Sequence, residues 1–393
     1  MKKLSIILLG VLFCSGTSRA EQSFEAWKQQ FALKAAQENI SAEVIENNVP
    51  KMTYLPQVVE LDRKQPEFSL SFSNYAKRMV TPERVKKGRE WMKKEKTLLN
   101  EIYQAYGIPP AYLLAFWGLE TNYGKTKGTT NILDALATLS YDERRSAFFT
   151  EQLITFLKIL QKDKIEVPQG SWAGAFGHFQ FMPTTFFQYA VDVDKDGRRD
   201  IVNSFPDALG SAAHYLLRMG WDKNLTWGRE VELPPDFWNT SFDKTASYPL
   251  SFWTQEGLLR MDGRAYRPEE LDISAHLVLP EGANGPAFLV YKNFDVIKRW
   301  NRSDFYALAI GLLADQIAGK ESSDVRSFKE QKNLHKSDVI QVQEKLKKLG
   351  YYQGVIDGRL GSGTKKAVAA YQKQHGLPED GFLSKEVLEK ILK

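Results

Sequence analysis

The sequence predicts a mainly α protein (α+β), with a small β element late in its main body and a compact helical unit at its C-terminus. Three observations lead there. Helical spacing of apolar residues recurs from 23 to about 107 and again over 140–160, 207–219 and 304–317. From 221 to about 291, prolines, glycines and short apolar runs such as 275–279 and 287–291 replace it. After a polar stretch at about 320–335, read as a linker, residues 336–393 resume a helical pattern of their own. A chain of 393 residues has room for two or three domains and a sizeable core.

The first twenty residues stand apart. Lys2 and Lys3 precede an apolar stretch from Leu4 to about Phe13, followed by Ser18-Arg-Ala20. That is a basic n-region, an apolar h-region and a small-x-small cleavage signal, too short to span a bilayer. It predicts an export signal over 1–20 and a periplasmic protein. Cys14, the only cysteine, lies inside it, so the mature chain has no disulfide and relies on its core. Acylation of Cys14 is the alternative, but Val11-Leu-Phe13 lacks the small residue that lipid attachment prefers.

The formal net charge of +5 is uneven. Residues 331–393 hold 12 Lys+Arg against 7 Asp+Glu, which is +5 for the tail alone. Such a mild excess suits an anionic polymer and gives no ground for nucleic acid.

Along the main body, Phe24, Trp27 and Phe31 share one helix face. Thr81 and Pro82 mark a helix start, as N-cap and first helical residue. Phe148, Leu153, Phe156 and Leu160 form a predicted core stripe. Pro109 and Pro110 open the apolar run 111–119, which ends on Glu120. Leu113, Phe116 and Glu120 share a helix face, so the carboxyl should point inward among apolar side chains. Lost hydration raises its pKa and lets it hold a proton near neutral pH, as cleavage of an acetal requires. The simpler reading is a carboxylate at a helix end paired with a lysine such as Lys125.

Other motifs weigh against that reading. Ser171-Trp-Ala-Gly-Ala-Phe-Gly-His-Phe-Gln180-Phe-Met-Pro183 has glycines at 170, 174 and 177 that allow close backbone approach. Gln180 brings a donor and an acceptor, and Trp172, Phe179 and Phe181 bring flat apolar faces, as amide-bearing sugars need. His178, one of five unclustered histidines, reads as a bystander. Asp192, Asp194 and Asp196 before Gly197 match positions 1, 3, 5 and 6 of a calcium loop, although position 12 is Asn203; Asp207 could reach back. Trp300-Asn-Arg-Ser-Asp-Phe-Tyr306 leads into a helix that Ser303 can cap, with Asn301 and Tyr306 as candidate pocket groups. In the tail, Val339, Val342 and Leu346 form a stripe, and Thr364 is placed to cap a helix over 365–375.

Taken together, Glu120-Thr-Asn-Tyr-Gly124, the Ser171…Gln180-Phe-Met-Pro183 run, the Asp-rich loop and Trp300-Asn-Arg-Ser resemble the lytic murein transglycosylase B family, from about 23 to 319. The tail resembles peptidoglycan-binding domain type 1, a small three-helix unit, through Leu349-Gly-Tyr-Tyr, Val355-Ile-Asp-Gly, Tyr371-Gln and Gly376-Leu. The resemblance implies a lysozyme-like catalytic domain over 21–319 and a binding domain over 336–393. It implies cleavage of the β-1,4 bond between N-acetylmuramic acid and N-acetylglucosamine, leaving 1,6-anhydro ends. By motif, Glu120 is the catalytic acid and then base. Ser171, Gln180, Asn301 and Tyr306 hold the sugars, with Tyr123 and Phe181 as further substrate-binding positions. Asp192, Asp194, Asp196, the Arg198 carbonyl and Asp207 hold a structural Ca2+. No organic cofactor is implied; peptidoglycan strands are the expected partner of a monomer, possible other cell-wall enzymes aside. The motifs supply one embedded acid rather than the usual two. A hydrolytic muramidase, an inactive wall-binding protein and a structural calcium protein are the competing readings.

Overall fold

The computed structural model describes residues 23–63, 68–320, 324–329 and 334–393; the export signal and Cys14 lie outside them. Among the described residues, no helix is long and apolar enough to cross a membrane.

Three cores organise the chain. The largest joins helices from Phe24–Gln37 to Asp304–Ile317. It begins as the spacing predicts: Ser23 caps the first helix, and Trp27 stacks between Phe24 and Phe31 at 5.3 and 5.2 Å. Thr81 accepts from the Arg84 N–H and caps Pro82–Lys94. One stripe needs correction. Phe148 is 46% exposed, whereas Phe149 is fully buried with Leu153 and Phe156. In the helix Ser146–Asp163, Phe149 stands four residues before Leu153 and shares its face, whereas Phe148 falls a residue out of phase.

The second core belongs to the small β element, around Phe237, Leu250 and Trp253. Its antiparallel sheet runs in the order Tyr248–Pro249, Ser274–Val278, Ala287–Val290, Gly228–Glu232, Leu259–Arg260. The two apolar runs read from the sequence are its central strands.

The third core lies in the tail, where Lys336–Lys348, Ser362–Gln374 and Lys385–Leu392 pack around Val342, Leu346 and Val368. Thr364 is not a cap: the helix starts at Ser362, and buried Thr364 binds Gln343 and the Arg359 carbonyl. Gln343 also accepts from the N–H groups of Asp357 and Gly358, so one buried amide shapes the turn-rich loop.

The stretch between main body and tail is anchored. Val325 and Phe328 are buried in the main core, with Phe328 against Phe72 and Phe288 at 5.9 and 6.4 Å. Leu334–His335 then pairs antiparallel with Phe68–Ser69. The Ala283 N–H donates to Asp380 of the tail at 2.7 Å.

Candidate active site

The helix Pro110–Thr121 carries Glu120 and is buried on all sides from Ala111 to Gly118. Its partner is Asp304–Ile317, packed directly against it. Past Thr121 the chain reverses sharply: Asn122, Tyr123 and Gly124 have φ of 50°, 60° and 79°. A non-glycine residue pays for that region sterically, and here the turn leaves Glu120 in the helix's last turn.

Two side chains from the far end of the sequence reach the carboxyl. The Trp300 Nε1–H donates to Glu120 Oε1 at 3.1 Å, and the Tyr306 hydroxyl donates to the same oxygen. Trp300 is pinned by Phe116, Tyr215 and Phe181, with ring centroids 4.7, 5.1 and 5.3 Å away. Ser303 accepts from the Tyr306 N–H and caps the helix that presents Tyr306, as expected.

Burial pushes the Glu120 carboxyl up to about 7, against the downward pull of the Tyr306 and Trp300 hydrogen bonds. Among the described residues its hydrogen-bond partners are Trp300 and Tyr306 and no lysine forms an ion pair with it, so the pairing with Lys125 does not form. Burial and the neighbouring Glu120 charge push the Tyr306 hydroxyl far up, and it remains a donor at working pH. With both donors on Oε1, the exchangeable proton of the neutral acid belongs on Oε2.

Tyr75, from the helix Phe72–Met79, is a neighbour that sequence reasoning missed. Burial raises its hydroxyl pKa, and the Glu120 charge raises it further. Its only sequence signal was an aromatic on a short amphipathic helix, which core packing explains equally well.

The other expected residues divide. Gln180, at φ 49°, donates from Nε2 to the carbonyls of Lys127 and Gly177, leaving Oε1 to accept. Ser171 Oγ accepts from the Ala175 N–H. Asn301 is exposed and accepts from the Ser303 N–H, so it stands at the rim and not on Glu120. Tyr123 needs correction: it is 6% exposed and its hydroxyl donates to the Arg84 carbonyl, which makes it a brace. Phe181 does too, since it is buried behind Trp300 and presents no open face. The glycines serve the fold. A Cβ on Gly174 would meet Leu136 at 2.3 Å, and one on Gly177 the Ile201 carbonyl at 2.7 Å. His178 is kept neutral by burial, its pKa lowered to about 4, and accepts the Trp117 Nε1–H on Nδ1 at 3.0 Å.

In the acidic loop, Asp192, Asp194 and Asp196 bring one carboxylate oxygen each within 4.8 Å of one another. Asp192 Oδ1 is buried without a hydrogen-bond partner, an orphan that a cation would satisfy. Asp207 plays another part: its oxygens accept from the N–H groups of Val193 and Asp200 at 2.6 and 2.9 Å. It holds the loop's shape instead of joining the cluster. Arg198 donates its N–H to Asp196 at 2.8 Å. Asn203 donates its N–H and Nδ2 to Asp200, both at 2.9 Å.

This arrangement meets a matching lineage. Residues 23–315 match the family described as Transglycosylase SLT domain. The chain belongs to that family. Residues 335–391 match the putative peptidoglycan binding domain. The membrane-bound lytic murein transglycosylase B of Escherichia coli (strain K12) is 34% identical over 262 residues, covering 62% of this chain and 66% of that relative. The alignment thus spans just under two thirds of the relative's length. SltB3 from Pseudomonas aeruginosa, solved in complex with NAG-anhNAM-pentapeptide, is 38% identical over 95% of this chain and 100% of its own, with a TM-score of 0.87. The Escherichia coli lytic transglycosylase Slt35, solved in complex with calcium, is 30% identical over 74% of this chain and 92% of its own, with a TM-score of 0.63. The transglycosylase SLT domain and these likenesses bear out the resemblance and the fold class read from the sequence. The family is one of lytic transglycosylases, as the motifs imply.

Proposed function

We propose that this chain cleaves the β-1,4 bond between N-acetylmuramic acid and N-acetylglucosamine in peptidoglycan, leaving a 1,6-anhydro-muramoyl end. The observation that carries the reading is Glu120, a lone carboxyl held near pKa 7 with both its donors on one oxygen. Glu120 Oε2–H gives its proton to the leaving glycosidic oxygen as the C1–O bond breaks, and the sugar's own 2-acetamido oxygen bonds to C1. The C6 oxygen then displaces that oxygen from C1, and the C6 hydroxyl proton returns to Glu120. No water is consumed.

Gln180 Oε1, Ser171 and Asn301 are the remaining sugar-binding groups of this reading. Asp192, Asp194 and Asp196 would hold a Ca2+ that stiffens the loop, with Asp207 setting its backbone; the likeness to a calcium-bound relative supports this. The site of action is the periplasm, reached by the export signal, with the C-terminal domain on the wall. Digestion of purified sacculi tests the reading by mass: anhydro ends are one water lighter than reducing muramic acid ends. Reducing ends would make the enzyme a hydrolase.

A further inference from the structure

We propose that the cavity between the C-terminal domain and the catalytic body binds the peptide that peptidoglycan strands carry. This rests on the substrate assigned above. The cavity holds about 540 Å3, with Leu277, Leu279 and Phe305 on one wall and Leu360, Lys365 and Phe382 on the other. That volume falls in the range of about 300–1,000 Å3 typical of ligand pockets.

The cavity is built into the docking of the two parts. Pairing of Leu334–His335 with Phe68–Ser69 closes one side. On another, Asp380 accepts the Ala283 N–H at 2.7 Å. The neighbouring Gly282 has φ +69°, and a Cβ there would stand 2.5 Å from Asp380 and 2.6 Å from Phe382. Two surfaces that fit so closely beside a void hold that void open at a fixed size.

Its chemistry suits a peptide better than a glycan. Sugar sites draw on amide side chains and on tryptophan or tyrosine faces; this lining has none of them, and its apolar part is mostly leucine, with Phe305 and Phe382, beside three lysines. Lys298, Lys365 and Lys385 line the cavity with two acids, Asp304 and Asp380. Both acids are engaged: Asp304 pairs with Lys298 at 2.7 Å, and Asp380 accepts from Ala283 and Gln372. Among the described residues Lys385 pairs only with exposed Glu389, at 3.5 Å. Lys365 meets no acid among the described residues. The surplus is positive, which complements the free carboxylates of a peptide stem with small alkyl side chains.

The position also fits. Phe305 precedes Tyr306 in the chain, and its ring lies 6.0 Å from that of Tyr75, which senses the Glu120 charge. The cavity wall is therefore one aromatic ring away from the acid's surroundings. A stem hangs sideways from muramic acid, so a strand at Glu120 needs a lateral recess of this kind.

The test uses the full chain and the double variant Lys365→Glu, Lys385→Glu. Cleavage is followed on glycan strands that carry their stems and on strands stripped of stems by an amidase. The double variant should lose about tenfold in kcat/KM on stem-bearing strands, as charge reversal at a peptide site would produce, and nothing on stripped strands. Equal loss on both, or no loss on either, overturns the proposal. Titration with the free stem pentapeptide supplies a readout independent of cleavage. Saturable binding to the wild-type chain, weakened about tenfold in the double variant, supports the cavity even if the assigned reaction is wrong. Stripped strands bound more weakly by the double variant would make the cavity a glycan site and overturn it.

Discussion

Replacing Glu120 by Gln should separate what the acid does for catalysis from what it does to the fold. The carboxyl titrates at about 7 in the folded chain, against an ordinary value of 4.5. Each unit is worth about 1.36 kcal/mol, so the gap corresponds to about 3 kcal/mol. The folded state holds the proton more tightly than the unfolded chain. Stability is therefore undiminished below about pH 4.5, falls as pH rises, and has lost the full amount above about pH 7. Gln keeps the shape and can still accept from Trp300 and Tyr306, but it never ionises. Glu120→Gln should match the wild type near pH 5 and exceed it by up to about 3 kcal/mol at pH 8. Denaturant unfolding of both proteins from pH 5 to 9 measures this, beside sacculus cleavage at each pH. Wild-type cleavage should decline above about pH 7 as the acid loses its proton, and the variant should not cleave at any pH. A stability gap independent of pH would refute the burial argument, and residual turnover in the variant would refute the catalytic one.

Three further outcomes follow from the same geometry. Tyr306→Phe removes a donor that lowers the Glu120 pKa, so the alkaline limb of the pH–rate profile should move up while turnover drops about ten- to a hundredfold, the worth of one hydrogen bond to a charged group. Calcium should raise the thermal midpoint of the wild type, by about 2.7 kcal/mol of stability at a hundredfold excess over Kd; Asp192→Asn, which alters the orphaned carboxylate, should blunt that rise. A chain ending at 319 loses Val325 and Phe328 and uncovers Phe72 and Phe288, whereas one ending at 329 keeps them. Urea unfolding should find the shorter chain less stable by about 3–5 kcal/mol, the cost of emptying a large apolar site.

How much of this was legible in the sequence depended on range. Caps and stripes are local, and Ser23, Thr81 and Ser303 cap where spacing places them. Glu120 was legible only beside the other motifs, because alone a carboxylate at a helix end paired with a lysine was the simpler reading. The errors arose where a neighbour distant in sequence decides orientation. Tyr123 and Phe181 sit inside functional motifs, yet face Arg84 and Trp300, which no spacing rule could supply. Phe148 was misassigned because Phe149, four residues before Leu153, is the aromatic in phase with the stripe. The strap at 324–329 read as a polar linker because its two anchors, Val325 and Phe328, are diluted among charged residues. Composition averages over a segment, whereas anchoring takes only one side chain in a pocket.

The role proposed for Glu120 demands a balance that the structure explains. A carboxyl at 4.5 would hold too little proton at neutral pH to serve as an acid, and one raised far above 7 would be slow to give its proton up. Burial alone drives the value upward without a natural stopping point. Trp300 and Tyr306 supply the opposing force, since each stabilises the ionised oxygen. Either ring alone would leave the acid less easily ionised, and an ion pair with a lysine would carry it past the mark in the other direction. Neutral donors suit the task because their pull does not grow or vanish across the working range of pH. One oxygen held by two neutral donors and one left open is thus sufficient for a carboxyl to give a proton and take one back.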